Sequence, residues 1–261
     1  MIMSEEVKLL QPLQYINEFL KNGVRTDGRK VDDFRPMLLN CDTVGTANGS
    51  AMVKFGSSTV ICGITTELIE ANPETPEEGL IEITVELPAL CSAKYCMTDS
   101  TNDALVLTQS LNNAIKQSKI IDLKKLCAVE SKFVWKLNVS VICLNNDGNL
   151  LDLSLIAIVS AFHSCSLKSI VINEDNTITY EKQSKPLEVK TYPIATTIAI
   201  INCMCLPDPS ADEECLADTV INIVVNADTG VIHSWYMTGT AKLDNNFFGK
   251  CYKIAKNRSK L

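Results

Sequence analysis

Apolar residues recur near the start of the chain at Leu9, Leu10, Leu13, Ile16, Phe19 and Leu20. That three-to-four-residue spacing predicts one helix over 7–20, closed at Gly23. The pattern then shortens to strands over 37–46, 50–55 and 59–65, with Phe55-Gly56-Ser57-Ser58 as a hairpin connection between the last two. Pro73 and Pro76 stand among glutamates, so 72–79 reads as an exposed acidic loop. Residues 81–87 alternate apolar and acidic, as a half-buried strand does. Leu105, Leu107, Leu111, Ala114, Ile115 and Ile121 predict a second helix over 103–121. A strand over 133–144 then turns at Asn145-Asn146-Asp147-Gly148, a sequence that tolerates tight-turn backbone.

Residues 150–162 are almost all apolar and predict a helix buried on most sides, with Asp152 as its expected N-cap. Beyond it the pattern predicts a hairpin over 170–180, a strand over 194–205 and a loop over 207–214. Strands over 219–225 and 231–236 follow, then a last helix over 243–256. That helix ends on Lys250, Lys253, Lys256, Arg258 and Lys260, cations that suit a helix C-terminus. Runs of strands broken by single helices, with short connections, define an α+β fold and not a doubly wound one. The order suggests two similar halves of packed sheets and helices. We expect an N-terminal helix over 1–24, a first half over 25–128 and a second over 129–261.

Composition narrows the chemistry. The formal charge is −7, from 24 Lys+Arg against 31 Asp+Glu, so a generally basic nucleic-acid face is not expected. Only four of the cations are arginines: Arg25, Arg29, Arg35 and Arg258. The guanidinium fork is the preferred phosphate reader, and the chain lacks it between 36 and 257. The 11 cysteines include no C-x-x-C, and several sit among apolar neighbours, as in Val60-Ile61-Cys62. They read as buried free thiols of an intracellular protein. With two histidines, His163 and His233, no metal site is expected, and both read as packed or capping residues. Ser154 and Cys165 have no base arranged beside them for a nucleophilic role. No apolar run approaches the ~18 residues of a membrane span.

Several segments together resemble the RNase PH family. They are Arg25-Thr26-Asp27-Gly28-Arg29, then Asn48-Gly49-Ser50-Ala51-Met52-Val53-Lys54-Phe55-Gly56, then Thr59-Val60-Ile61-Cys62-Gly63. Leu144 to Asp152 is similar to that family's second-half hairpin entering a buried helix. Asp208-Pro209-Ser210-Ala211-Asp212-Glu213-Glu214 is similar to an acidic element of the non-catalytic exosome ring subunits. Residues 12–15 and 87–92 look closest to the component-eight type of ring subunit.

The resemblance covers nearly the whole chain and implies two β-α-β type RNase PH-like halves, in a ring of such subunits around an RNA channel, which threads RNA 3′ end first. It implies as partners other RNase PH-like exosome subunits, RNA-binding cap subunits, RNA itself and an associated hydrolytic nuclease, with no membrane. The implied locations are nucleus, nucleolus and cytoplasm.

Active members place a phosphate cradle where this chain has Asn149-Leu150-Leu151-Asp152. Leucine there and a carboxylate alongside disfavour phosphate. They also carry two aspartates at the spacing of Asp208 and Glu214, which read here as solvated loop acids. Asp208, Glu214 and Asp152 are therefore expected to be degenerate active-site positions, with no catalytic residue, no cofactor and no metal. Lys94, Arg25 and Arg29 are the candidates for RNA contact, although 25–29 can also satisfy its own charges as a loop ion-pair network. Two other readings stay open: a phosphate-dependent 3′–5′ exoribonuclease using Asp208 and Glu214 with Mg²⁺, and a plain α+β interaction module.

Overall fold

A computed structural model describes residues 5–97, 101–129, 132–172, 178–240 and 245–260. Helices α1 (Glu5–Leu10) and α2 (Pro12–Lys21) open the chain, followed by strands β1 (Met37–Cys41), β2 (Gly49–Phe55), β3 (Ser58–Glu70) and β4 (Leu80–Glu86). Next come α3 (Ala93–Met97), α4 (Thr101–Ser118), β5 (Cys127–Val129), β6 (Phe133–Asn145) and α5 (Leu150–Ser164). Strands β7 (Ser166–Ile172), β8 (Ile178–Pro186), β9 (Pro193–Ile201) and β10 (Met204–Pro207) lead to α6 (Ala211–Leu216). Strands β11 (Thr219–Asn226) and β12 (Ile232–Gly239) and helix α7 (Asn245–Arg258) complete the described chain.

The larger sheet runs β1-β2-β3-β6-β4, with β5 added on β6. Its pairs are antiparallel except β4 with β6, which is parallel. The smaller sheet, β10-β9-β11-β12, is antiparallel throughout, and β7 and β8 form a separate ribbon. Helix α5 lies against β2 and β3 on one side and β9 on the other. It is therefore covered on most sides, as its near-continuous apolar sequence requires. Gly49 permits the close approach: a Cβ there would stand 2.5 Å from the Ala161 carbonyl oxygen. One core joins the larger sheet with α4 and α5, while Ile198, Ile200, Ile221, Ile223, Cys251 and Ala255 form a second under α7.

Five expectations change. The N-terminal helix is two helices, because Pro12 cannot continue α1 and instead starts α2. The strand expected over 194–205 is a hairpin that turns at Asn202 and Cys203, both at positive φ. Strand β9 is buried on both faces, so it carries no alternation that could have marked its end. The loop expected over 207–214 contains α6, started by a capping box between Ser210 and Glu213. The N-cap of α5 is Asn149 at φ 58°, and Asp152 lies inside the first turn. Finally, the division expected after residue 128 passes through the larger sheet, because β6 is hydrogen-bonded between β3 and β4. The second sheet begins only after α5 and the β7–β8 ribbon.

The thiols divide more evenly than the sequence suggests. Cys62, Cys91, Cys143, Cys165 and Cys251 are buried, whereas Cys41, Cys203 and Cys215 are exposed. The hairpin expected over 170–180 forms, and its turn over 173–176 lies outside the described residues.

Candidate functional site

The loop 25–35, the start of α5 and the segment 207–214 meet at one place. Gly148, at φ 80°, makes the meeting possible: a Cβ there would lie 2.6 Å from the backbone nitrogen of Ala211. The turn before α5 is held by Ser58, whose hydroxyl donates to the Gly148 carbonyl at 2.9 Å and accepts from the Asp147 amide at 2.9 Å.

Asp208 is the centre of the cluster. It is 0% exposed and sits at φ 51° just after β10. Its carboxylate accepts from the Arg35 amide (2.8 Å), from Arg35 Nε (3.0 Å) and Nη2 (2.7 Å), from Arg29 Nη1 (3.1 Å) and from Asn149 Nδ2 (2.7 Å). Burial alone would raise its pKa, but the Arg35 guanidinium and these donors hold it well below the usual carboxylate range. The same partnership raises the pKa of Arg35 against the effect of its own burial.

Glu214 takes the opening of α5. Its Oε1 accepts the Asn149 backbone amide at 2.7 Å, so the chain's own carboxylate occupies the donor end of that helix. Burial pushes the Glu214 pKa up to about 7, and the neighbouring charges of Asp152 and Asp208 add to the rise, against the Asn149 amide and Arg35. Asp152, fully buried, accepts from the Thr197 amide (3.1 Å) and hydroxyl (2.8 Å) and from Arg258. Arg258 also lies over the rings of Phe34 and Phe55, at 4.8 and 5.2 Å from their centroids.

Arg25 is 1% exposed and forks onto Glu213, with further bonds to the Pro207 carbonyl (2.7 Å) and the Asp208 carbonyl (3.0 Å). Arg29 pairs with Asp27 at 2.6 Å as well as with Asp208. All four arginines are thus committed to carboxylates of one cluster: Arg25 to Glu213, Arg29 to Asp27 and Asp208, Arg35 to Asp208, and Arg258 to Asp152. Beside them opens a hollow of ≈770 Å³ lined by Arg29, Phe34, Arg35, Pro207, Ile254 and Asn257, among others.

The expectations for four site residues change accordingly. Arg25 cannot reach RNA, because its guanidinium is enclosed. Asp208 is not a solvated loop acid but the best-satisfied carboxylate of the cluster, and Glu214 is half-buried against α5. Arg29 keeps only 13% of its side chain exposed, leaving Lys94 as the open candidate for RNA contact. Lys94 lies far along the chain on α3, where it pairs with Asp103 at 2.6 Å beside the Tyr95 ring.

Sequence reasoning missed Arg35 and Asn149 as members of the cluster. Beyond the acids already named, the sequence signals for it are three arginines within eleven residues and the Ser210-x-x-Glu213 capping pattern.

These groups do not fit a Mg²⁺ site, since both oxygens of Asp208 already accept from Arg35 and its neighbours. Among the described residues no group of three or more metal-ligating side chains comes together. His163 is exposed at the end of α5, and His233 on β12 has its pKa lowered by burial. No helix among the described residues is long and apolar enough to cross a membrane.

Comparison with known proteins agrees with this architecture. The chain is 31% identical over 253 residues to the exosome complex component rrp43 of Schizosaccharomyces pombe, covering 96% of this chain and 93% of that protein. It is 34% identical over 221 residues to the exosome complex component Rrp42 of Thermococcus onnurineus, covering 84% and 81%. A chain of the Archaeoglobus fulgidus exosome, solved with RNA bound to the active site, superposes with a TM-score of 0.83 at 28% identity over 95% of this chain and 94% of that one. The model of the 3′ exoribonuclease family, domain 1, matches residues 33–168, which include β6 and α5, and that of domain 2 matches 191–258. With both domains in order and relatives aligned nearly end to end, the chain belongs to the 3′ exoribonuclease (RNase PH) family.

Proposed function

We propose that this protein is a ring subunit of an RNA exosome core that does not itself cleave RNA. It would complete the ring and help form the channel that threads RNA, 3′ end first, toward a nuclease carried by another subunit. Kinship with exosome components supports the assembly role. The single observation that carries the non-catalytic part is Glu214 seated on the Asn149 amide.

Phosphorolysis brings inorganic phosphate against a phosphodiester, so it needs cationic donors aimed at two anions. Where the family resemblance implies a phosphate cradle, this chain offers Leu150, Leu151 and the buried carboxylate of Asp152, with Glu214 on the Asn149 amide. Its four arginines are already paired with carboxylates. A phosphate entering there would meet like charge and would have to break buried ion pairs.

The surface also favours assembly. Edge strand β1 is exposed along its whole length, with Leu38 63% accessible, and edge strand β12 exposes Ile232, Tyr236 and Met237. Apolar sheet edges of this kind are covered in stable proteins, here by neighbouring subunits. Nuclear, nucleolar and cytoplasmic pools, cap subunits and a hydrolytic nuclease complete the proposal.

Two measurements test it. Native mass and composition of the complex captured on a tagged copy should give a hetero-oligomer holding this chain once; a homo-hexamer would overturn the reading. Purified chain incubated with RNA and inorganic phosphate should release no nucleoside diphosphate, and phosphate-dependent release would establish the enzyme instead.

A further inference from the structure

Two thiols meet where helix α7 covers the smaller sheet. Neither takes part in the arginine–carboxylate cluster, and their chemistry does not depend on the exosome reading. Cys205 lies on β10, directly opposite Ile200 of β9. Residues opposed across an antiparallel pair point to the same face, so Cys205 faces the side on which Ile198 and Ile200 meet α7. Cys251 of α7 is 0% exposed within that core, and Cys205 packs against it from the edge, half-buried.

The Cys251 thiol donates a hydrogen bond to the Cys205 sulfur. That bond holds the Cys205 pKa below the usual thiol value against its own burial; the Lys250 ammonium helps and the Asp32 carboxylate opposes. The same bond, with burial, raises the pKa of Cys251. Burial raises Cys62, Cys143 and Cys165 as well, which suits inert core thiols. Cys205 differs from them in having both partial access to solvent and thiolate character. A second thiol stands against it, ready to displace whatever it acquires. Two sulfurs do not make a zinc site, which takes four ligands, and among the described residues no group of three or more candidate ligands forms.

We propose that Cys205 and Cys251 form a reversible oxidation site for hydrogen peroxide, with Cys205 as the attacking sulfur and Cys251 as the resolving one. The Cys205 thiolate attacks one peroxide oxygen, the O–O bond breaks and hydroxide leaves, which gives a sulfenic acid. The Cys251 sulfur then attacks the Cys205 sulfur. An S–S bond forms, the S–O bond breaks, and the oxygen leaves as water with the Cys251 proton. Two electrons pass from the thiols to the peroxide, which ends as two waters once the hydroxide takes up the proton that Cys205 gave up. The disulfide ties α7 to β10. Helix α7 also carries Arg258, the partner of Asp152, and its Ile254 and Asn257 line the hollow beside the cluster. Oxidation therefore fixes one wall of that hollow.

The test treats the full, reduced chain with rising hydrogen peroxide, then unfolds it, blocks the remaining thiols with N-ethylmaleimide and maps the digest by mass spectrometry. Peptides linked through Cys205 and Cys251, two hydrogens lighter than the free pair, should appear before the exposed Cys41, Cys203 or Cys215 is modified. Dithiothreitol should remove the link. Hydrogen exchange over α7 should slow about tenfold or more in the oxidised chain, because a cross-link restricts local opening. Cys251→Ser keeps a donor for Cys205 and should leave it as a sulfenic acid that dimedone traps. Cys205→Ala should leave Cys251 unoxidised at doses that convert the parent. Mapping of the unsubstituted chain decides even where a variant folds poorly. Earlier reaction of the exposed thiols, a link from Cys203 to Cys251, or Cys205 oxidised beyond the sulfenic acid while Cys251 stays free would each overturn the proposal.

Discussion

The cluster at the start of α5 and the cleft beside β4, lined by Lys116, Lys119, Lys124 and Lys190, use cations in opposite ways. The first holds all four arginines, turned inward onto carboxylates; the second holds lysines turned outward with few partners. The guanidinium is weakly hydrated and can satisfy two carboxylate oxygens and nearby carbonyls at once, so it survives burial. The lysine ammonium is strongly hydrated and stays at a rim. The arginines therefore serve the architecture of the domain, and the lysines stay hydrated at its surface.

Breaking the cluster should cost the most. Arg35→Ala strands the Asp208 carboxylate without its bidentate partner, and about 3–5 kcal/mol of unfolding free energy should be lost, measured by urea denaturation. The matched change at the cleft, Lys116→Ala with Lys119→Ala, should cost under about 0.5 kcal/mol in the same titration. Comparable costs would remove the distinction between the two regions. Gly148→Ala should follow at about 1–3 kcal/mol, because it combines a strained positive φ with collision against Ser210 and Ala211.

A smaller effect sharpens the comparison through pH. Glu214 binds its proton more tightly folded, near pH 7, than unfolded, near 4.5. Its contribution is complete below the unfolded value and is lost as pH rises from about 4.5 through 7. Glu214→Gln keeps an acceptor for Asn149 but cannot ionise. Discounted for partial exposure, it should stabilise the protein by about 1–2 kcal/mol at pH 8 and by little at pH 5. An equal effect at both pH values would mean that Glu214 stays charged.

Asp208 should behave in the opposite sense. Its pKa is depressed, so its contribution is present above the usual aspartate value of 3.8 and is lost as pH falls through the lower folded value. Acid unfolding of Asp208→Asn should therefore be shallower than that of the parent. The smallest change is Lys94→Ala: its exposed pair with Asp103 should contribute under about 0.5 kcal/mol, while any loss of RNA affinity would mark it as a contact.

Much of the fold was legible along the chain. Periodicity placed the cores of α4, α7 and most strands, because one-sided burial writes itself into spacing, and α5 was marked by its long near-continuous apolar run. It failed at β9 and β10, where burial on both faces erased the alternation, and at α6, whose acidic residues read as solvent loop. It also misplaced the division after residue 128, because membership of β6 in the larger sheet depends on pairing with β3 and β4, residues more than sixty positions away at β3. The candidate site was legible only in part: Asp208, Glu214 and Asp152 could be named, but not what they bind. Arg25 reads in the sequence as an RNA contact or a member of a local ion-pair network, whereas its partner is Glu213, 188 residues on.

The sequence by itself determined an α+β chain of the RNase PH type, short of arginine and with acids where a phosphate cradle is expected. Only the tertiary structure decided that the arginines and acids neutralise one another. Ion pairing over such separations depends on which backbone segments are brought within about 3 Å, and no local pattern records that distance.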